Sequence, residues 1–191
     1  MSWSALITSI VLTILLAAPF QWFIGAGKDT FIRREPSPGS AWGVASFVSG
    51  IMAIAWVGLF GGLAIDAATL GALALATASV ALYEWTRRTV GAQHFYVGLT
   101  ECVPAAVVEA GPYRHLRHPF YLGYLLAFAA VALAMRSRLG SAVALANWAL
   151  FVVMALHDER TLARSPLAGA YAAYRRRVGV LLLLPSRARG A

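Results

Sequence analysis

The chain has 191 residues, of which 60% are hydrophobic and only 13% are charged, and its mean hydropathy is +0.69. Soluble domains carry about 25% charged residues, so this composition excludes an ordinary soluble protein and predicts an integral membrane protein. The formal net charge of +8 would suggest nucleic-acid binding in a soluble protein, but the basic residues lie between apolar runs, as in cytoplasmic loops of membrane proteins. We therefore expect one domain over residues 1–191 and no nucleic-acid partner. The lone Cys102 allows no internal disulfide and no metal-type spacing, so no metal site is expected.

Five apolar runs follow one another along the chain, and each predicts a helix because lipid offers no partner for an unpaired backbone group. The runs are 4–23, 45–65, 68–83, 121–135 and 141–157. The first has no basic segment before it and no small-residue cleavage pattern after it, so we interpret it as a retained helix rather than a signal peptide. The fourth is short for a full span, and is therefore either buried in protein or extended by residues before Tyr121.

The basic residues predict the orientation of these helices. Fourteen of the 16 lysines and arginines lie in segments 24–44, 84–120 and 158–191, which share one side of the membrane if the runs alternate. Only Arg136 and Arg138 lie on the opposite side. We therefore predict an all-α protein with five transmembrane helices, the N-terminus outside and the C-terminus in the cytoplasm. Residues 1–84 would hold the first three helices, and residues 85–185 would carry the functional motifs in the last two helices and a cytoplasmic cap.

Two pairs of runs are separated by so few residues that each pair predicts an antiparallel helical hairpin. Only Asp66 and Ala67 separate the second and third runs, and residues 136–140 separate the fourth and fifth. The second hairpin places the cytoplasmic ends of the fourth and fifth runs side by side. We therefore expect the residues just before the fourth run to lie close to Asp158 and Glu159, at the end of the fifth.

A dense group of polar and aromatic residues, GPYRHLRHPFYLG at 111–123, lies directly before the fourth run. Pro119 disfavours helix at His118 and can occupy the first turn of the following helix. The N–H groups at that helix start, together with Arg117, suit a carboxylate. The histidines could orient a ligand or move a proton, and the tyrosine rings could contact an adenine or a sulfonium. The group predicts a pocket for a polar ligand at the membrane surface; the alternative is an interfacial belt that only anchors the helix.

Two further groups follow the fifth run. Asp158 and Glu159 are the only adjacent acids in the chain and are candidates for binding the amino or ribose groups of a ligand, with a solvated helix end as the alternative. Tyr171 and Tyr174, at i,i+3 spacing, are expected to pack the cap rather than to bind a ligand. The three arginines at 175–177 are expected to contact anionic headgroups.

The pattern Gly-Pro-Tyr-x-x-x-Arg-His-Pro-x-Tyr-x-Gly at 111–123 resembles the signature of the isoprenylcysteine carboxyl methyltransferase family. That family belongs to a wider set of membrane methyltransferases that includes the phospholipid N-methyltransferases. The acid pair and the later Leu162, Tyr171, Tyr174, Val178 and Pro185 are similar to its C-terminal pattern, so the resemblance covers roughly residues 85–185. It implies an enzyme that transfers a methyl group from S-adenosylmethionine to a lipophilic acceptor, either an isoprenylcysteine-like carboxylate or another lipid, at the membrane–cytoplasm interface.

The resemblance also implies roles for individual residues. Arg117 and Glu159 would be the catalytic residues, with Arg117 positioning the reacting group of the substrate. The cofactor-binding residues would be Val107, Val108, Tyr113, His118, Pro119, Phe120, Tyr121, Asp158 and Glu159. The acid pair is Asp-Glu where the family usually has Glu-Glu, so either acid could contact the cofactor. The acceptor, the kind of methylation and the oligomeric state stay open.

Two other functions compete with methyl transfer. A membrane reductase related to the sterol reductases would bind NADPH through an Arg-x-Pro-Asn-Tyr-x-Gly-Glu type motif, but Phe120 and Tyr124 replace its Asn and final Glu. A non-enzymatic scaffold would bind anionic lipid or a partner through the basic cap and would tolerate substitution of His118 and Tyr121. The motif favours the methyltransferase.

Overall fold

The computed structural model describes residues 3–26, 50, 65–90 and 106–180, and it describes side chains of the first helix as far as Leu15. These residues form five α-helices and one short 3-10 helix. They are α1 (Trp3–Ala26), α2 (Ala67–Val90), the 3-10 helix (Gly111–Arg114), α3 (Pro119–Met135), α4 (Arg138–Ala163) and α5 (Ala168–Arg177). The predicted all-α class is confirmed for the described residues. The second apolar run, 45–65, lies almost entirely outside them, so the number of spans stays a prediction.

Within the part of the chain that the structure describes, two helices are long and apolar enough to cross a membrane, α2 with 24 residues and α4 with 26. α3 has only 17 residues, and at about 1.5 Å per residue it is shorter than the roughly 30 Å of hydrocarbon in a bilayer. It begins at Pro119, two residues before the predicted start, and nine of its residues are buried. The helix is thus extended by two residues before Tyr121, and it is also buried in protein, so both explanations for its short length hold in part.

α3 packs against both α2 and α4, while α1 packs mainly against α2. The contact between α2 and α3 is made largely by small residues: Ala72 and Ala76 on α2, and Ala127 and Ala130 on α3, are completely buried. Small side chains let two helix backbones approach closely, which is the usual basis of helix association in lipid. The site residues at the start of α3 are therefore held by a well-packed three-helix core.

Two side chains from the flanking helices hydrogen-bond to the backbone of α3. The Ser79 hydroxyl on α2 donates to the carbonyl oxygen of Gly123 at 2.8 Å, and the Trp148 indole on α4 donates to that of Leu125 at 3.1 Å. Both carbonyls lie within the first two turns of α3. These bonds fix the start of α3 relative to both neighbours.

The connection between α3 and α4 is the tight turn that the sequence predicts. Arg136 ends α3 in the left-handed conformation with φ 47°, and Ser137 caps α4 by accepting a hydrogen bond from the Gly140 N–H at 3.0 Å. The Arg136 guanidinium donates to the Thr69 hydroxyl at 2.7 Å and pairs with Asp66, which precedes α2. The Thr69 N–H, and then Arg136, lower the pKa of Asp66 and keep it ionised. An arginine at the end opposite the basic segments thus has a counter-ion.

We expect Arg136→Gly to be more stable than Arg136→Ala by about 1 kcal/mol, because glycine adopts the left-handed conformation without the steric strain of an L-residue. Both variants lose the ion pair with Asp66, so the comparison isolates the backbone. Thermal unfolding of the two proteins in the same detergent measures the difference. Glycine should have the opposite effect at an exposed helical position. We expect Ala172→Gly in α5 to be less stable than the unmodified protein by about 1 kcal/mol. Equal midpoints for the two Arg136 variants would contradict the prediction.

Candidate active site

The motif at 111–123 folds as the 3-10 turn, a short extended segment and the start of α3. Gly111 has φ +55°, and a Cβ atom at that position would collide with the Thr89 side chain at the end of α2. His118 is non-helical, with φ −126° and ψ 62°, and Pro119 lies in the first turn of α3, as predicted. Glycine and proline thus place this polar segment at the junction of α2 and α3.

The motif and the acid pair meet at the ends of α3 and α4. The Arg117 Nε atom lies 3.0 Å from Glu159 Oε1, and the His118 Nε2 atom lies 3.5 Å from the same oxygen. The Tyr121 hydroxyl donates to Asp158 Oδ2 at 2.6 Å. These distances confirm the prediction that the two groups are neighbours. The groups meet because the short α3–α4 turn makes the two helices antiparallel.

The pair formed by Arg117 and Glu159 is buried, with side chains only 7% and 11% exposed. Removing two charges from water is costly, and a buried ion pair seldom adds net stability. Arg117 Nε, His118 Nε2 and Glu159 Oε1 are fully enclosed, yet they approach one another without a well-directed hydrogen bond. Buried polar atoms of this kind are uncommon and call for an explanation, such as a catalytic or binding role.

Aromatic rings form a continuous layer beside these charged groups. The His118 and Tyr121 rings stack in parallel, with centroids 5.4 Å apart and an interplanar angle of 2°. Tyr121 also contacts Phe151 of α4 at 5.5 Å, and Phe151 stacks on Tyr124 at 5.4 Å. Tyr83 of α2 completes the layer against Tyr124 at 5.8 Å. The layer joins all three core helices and separates the polar group from the apolar core.

Consecutive motif residues face different helices. Tyr121 lies against α4 and its acid pair, whereas Phe120 packs edge-on against Tyr83 of α2 at 5.1 Å. Pro119 is fully buried. Of the residues that the resemblance assigns to the cofactor, the structure therefore places His118, Tyr121, Asp158 and Glu159 in one polar group. Phe120 and Pro119 lie beside that group, in the packing between helices.

The segment after α5 is bound to the motif through the backbone. The Arg117 N–H donates to the Gly179 carbonyl at 2.9 Å, and the His118 N–H donates to that of Val180 at 3.3 Å. Leu116 and Gly179 form an isolated parallel bridge. No sequence signal pointed to this pairing, because one bridge is too short for the alternating pattern of a strand.

α5 is bound to the motif through its buried tyrosines. The Tyr174 hydroxyl donates to the Tyr113 carbonyl at 2.7 Å, and burial raises the pKa of Tyr174, so the hydroxyl stays protonated at neutral pH. Tyr171, Tyr174 and Val178 form a small core against which Val107 packs. The expectation that these tyrosines pack the cap is confirmed. Val108 is half-buried and Tyr113 is buried in this region, adjoining the charged group rather than within it.

Tyr171 is a neighbour of the charged group that the sequence assigned only to packing. Burial, and then the Glu159 carboxylate, raise the pKa of its hydroxyl. The only sequence signal is its spacing from Tyr174, which indicates a shared helical face but not what that face contacts. Among residues 3–26, 65–90 and 106–180, no cluster of three His, Cys, Asp or Glu side chains is arranged to hold a metal ion.

A sequence model for phospholipid methyltransferases matches residues 66–165, more than half of the 191-residue chain. The match runs from the residue before α2 through the end of α4 and includes both the motif and the acid pair. No curated protein and no solved structure gives a significant match.

Proposed function

The chain belongs to the phospholipid methyltransferase family, a family of membrane methyltransferases, and from this premise we propose that it uses S-adenosylmethionine to methylate a lipophilic acceptor at the membrane surface. The observation that carries the proposal is the meeting of the Arg117–Glu159 pair with the Tyr121–Asp158 hydrogen bond at the ends of α3 and α4. S-adenosylmethionine supplies an electrophilic methyl group on a sulfonium. The chain's residues would bind, orient and desolvate the reactants.

The chemistry of this group fits such a cofactor. Glu159 pairs with Arg117, and Asp158 accepts a hydrogen bond from the Tyr121 hydroxyl, so two carboxylates meet where the ammonium or sulfonium of the ligand would bind. The stacked rings of His118 and Tyr121 offer an aromatic face, which attracts cations and stacks with planar bases. His118, Tyr121, Asp158 and Glu159 would therefore hold the cofactor. The adjoining Val107, Val108, Tyr113, Pro119 and Phe120 would line its surroundings.

Arg117 would position the acceptor. Its Nε atom faces Glu159 and its Nη1 atom faces the Arg175 carbonyl at 3.4 Å, so the guanidinium is fixed by two different elements. Nη2 is the third donor group of the fork and can contact an acceptor oxygen. Transfer of a methyl group requires alignment and exclusion of water more than acid–base catalysis. A rigid, buried guanidinium meets that requirement.

The orientation of the protein forms part of this proposal. Arg87 and Arg88 end α2, and Arg160 and Arg164 end α4, at the same end of the bundle as the site. Basic residues concentrate on the cytoplasmic side of membrane proteins. We therefore place the site on the cytoplasmic side of a five-span protein with its N-terminus outside, where S-adenosylmethionine is available to the cap and lipid to the helices.

Calorimetry with S-adenosylhomocysteine tests the cofactor assignment. Protein in lipid nanodiscs should bind this product analogue and fail to bind NADPH, and transfer of labelled methyl groups to a membrane extract should then identify the acceptor. Arg138→Ala, at the opposite end of α4, should bind as the unmodified protein does. Binding of NADPH alone would support a reductase instead, and binding of neither ligand would leave the scaffold as the function.

A further inference from the structure

The cap, defined as residues 106–118 and 158–180, carries seven arginines and three carboxylates. All three carboxylates have a partner within the protein. Glu159 pairs with Arg117, and Asp158 accepts from the Tyr121 hydroxyl. Glu109 pairs with Arg177 at 2.8 Å. The cap therefore has more positive charge than its own acids can balance.

Besides Arg117 and Arg177, the cap has five arginines, and all five are exposed. They are Arg114, Arg160, Arg164, Arg175 and Arg176, and we call them the arginine surface. Leu162 of α4 packs against the cluster formed by Tyr171, Tyr174 and Val178, so the end of α4 is adjacent to α5. Cations on adjacent helix ends repel one another, and an external anion would relieve that repulsion.

The exposed residues of α4 indicate where the arginine surface lies relative to the lipid bilayer. Val152, Val153 and Leu156 are 42–57% exposed, as expected for side chains that face lipid, and the next exposed residue along α4 is Arg160. A change from exposed apolar to exposed basic residues within one turn of a membrane-length helix marks the boundary between hydrocarbon and headgroups. The arginine surface therefore lies where phospholipid phosphates lie.

We propose that the arginine surface binds the phosphates of anionic phospholipids and thereby holds the cap against the motif. Arg175 belongs to this surface, and its carbonyl accepts a hydrogen bond from Arg117 at 3.4 Å. Two residues after α5, the Gly179 carbonyl accepts from the Arg117 N–H at 2.9 Å. Lipid that restrains α5 from outside thus restrains the residues that fix Arg117.

Lipid selectivity tests the proposal without requiring methyl transfer. Protein is incorporated into nanodiscs with equal parts of phosphatidylcholine and phosphatidylglycerol, and the lipids retained after partial delipidation are quantified by mass spectrometry. We expect phosphatidylglycerol to be enriched. Arg175→Glu with Arg176→Glu should reduce that enrichment by about fivefold or more, since each basic residue near an anionic surface contributes about that factor. Hydrogen exchange of α5 should become faster in the same variant and in nanodiscs of phosphatidylcholine alone.

Matched variants separate this effect from misfolding. Arg138→Glu, an exposed arginine at the opposite end of α4, should keep the enrichment. Arg175→Lys with Arg176→Lys should also keep it, because the charge is retained. The proposal is overturned if phosphatidylglycerol is not enriched, or if Arg138→Glu loses as much of the enrichment as the double glutamate variant. It is also overturned if soluble glycerol phosphate at the same phosphate concentration competes fully, since the site would then bind a free phosphate compound.

Discussion

Glu159→Ala should lower the free energy of unfolding by about 3–5 kcal/mol and abolish binding of S-adenosylhomocysteine. The Arg117 side chain is 7% exposed, and loss of the carboxylate would leave its charge buried without a counter-ion. Thermal or denaturant unfolding in one detergent measures the first effect, and calorimetry in nanodiscs measures the second. Glu84→Ala is the matched control, because Glu84 pairs with Arg87 and Arg88, whose side chains are 41% and 74% exposed. Loss of such exposed pairs should cost only about 1 kcal/mol or less.

The double variant Arg117→Met with Glu159→Leu separates stability from function. Apolar side chains of similar volume often replace a buried ion pair without loss of stability. We therefore expect this protein to recover most of the stability lost in Glu159→Ala while still failing to bind S-adenosylhomocysteine. If the double variant binds the ligand as the unmodified protein does, the pair has a purely structural role and the proposed site is wrong.

Tyr121→Phe and Asp158→Asn should each weaken binding of S-adenosylhomocysteine by about 10- to 100-fold, which corresponds to a charge-assisted hydrogen bond of about 1.5–3 kcal/mol. The hydroxyl and the carboxylate are 2.6 Å apart, so removing either one releases the other. The losses in the double variant should therefore be less than additive. Calorimetry on the four proteins of this cycle measures the coupling.

Substitution of the ring gives a graded control. Tyr121→Phe keeps the stacking on His118, whose ring is 5.4 Å away, whereas Tyr121→Leu loses both the stacking and the hydroxyl. Binding should be weaker in the leucine variant than in the phenylalanine variant by a further several-fold, since an aromatic contact contributes about 0.5–1.5 kcal/mol. Unchanged affinity in Asp158→Asn would show that this acid does not contact the cofactor and would leave Glu159 as the acidic ligand.

Helices α1 to α4 were predictable because each corresponds to an apolar run, which is a local signal, but their ends were not. The third run ends at Tyr83, whereas α2 continues to Val90. Glu84 pairs with Arg87 and Arg88 at helical spacing, which supports helix beyond the apolar segment. Hydropathy reports where a helix leaves lipid, whereas hydrogen bonds and side-chain pairs decide where it stops.

The proximity of motif and acid pair was also predictable, because a five-residue gap leaves the fourth and fifth runs no other arrangement than a hairpin. Which acid contacts which residue of the motif was not predictable. Successive residues on a helix point about 100° apart, so Glu159 meets Arg117 while Asp158 meets Tyr121. Which acid faces which partner depends on the rotation of α4 about its own axis, and that rotation is set by packing along the whole helix.

The sequence by itself determined the class of protein, the site-bearing hairpin and the resemblance to membrane methyltransferases. These features rest on local chemistry: apolar runs that need lipid, Gly111 and Pro119 that restrict the backbone, and a motif of adjacent residues. Only the tertiary structure decided that α5 and the segment after it close over the motif. The Tyr174 hydroxyl meets the Tyr113 carbonyl across 61 residues, and the Arg117 N–H meets the Gly179 carbonyl. A backbone carbonyl is the same in every residue, so nothing in the sequence marks which one a distant donor will reach.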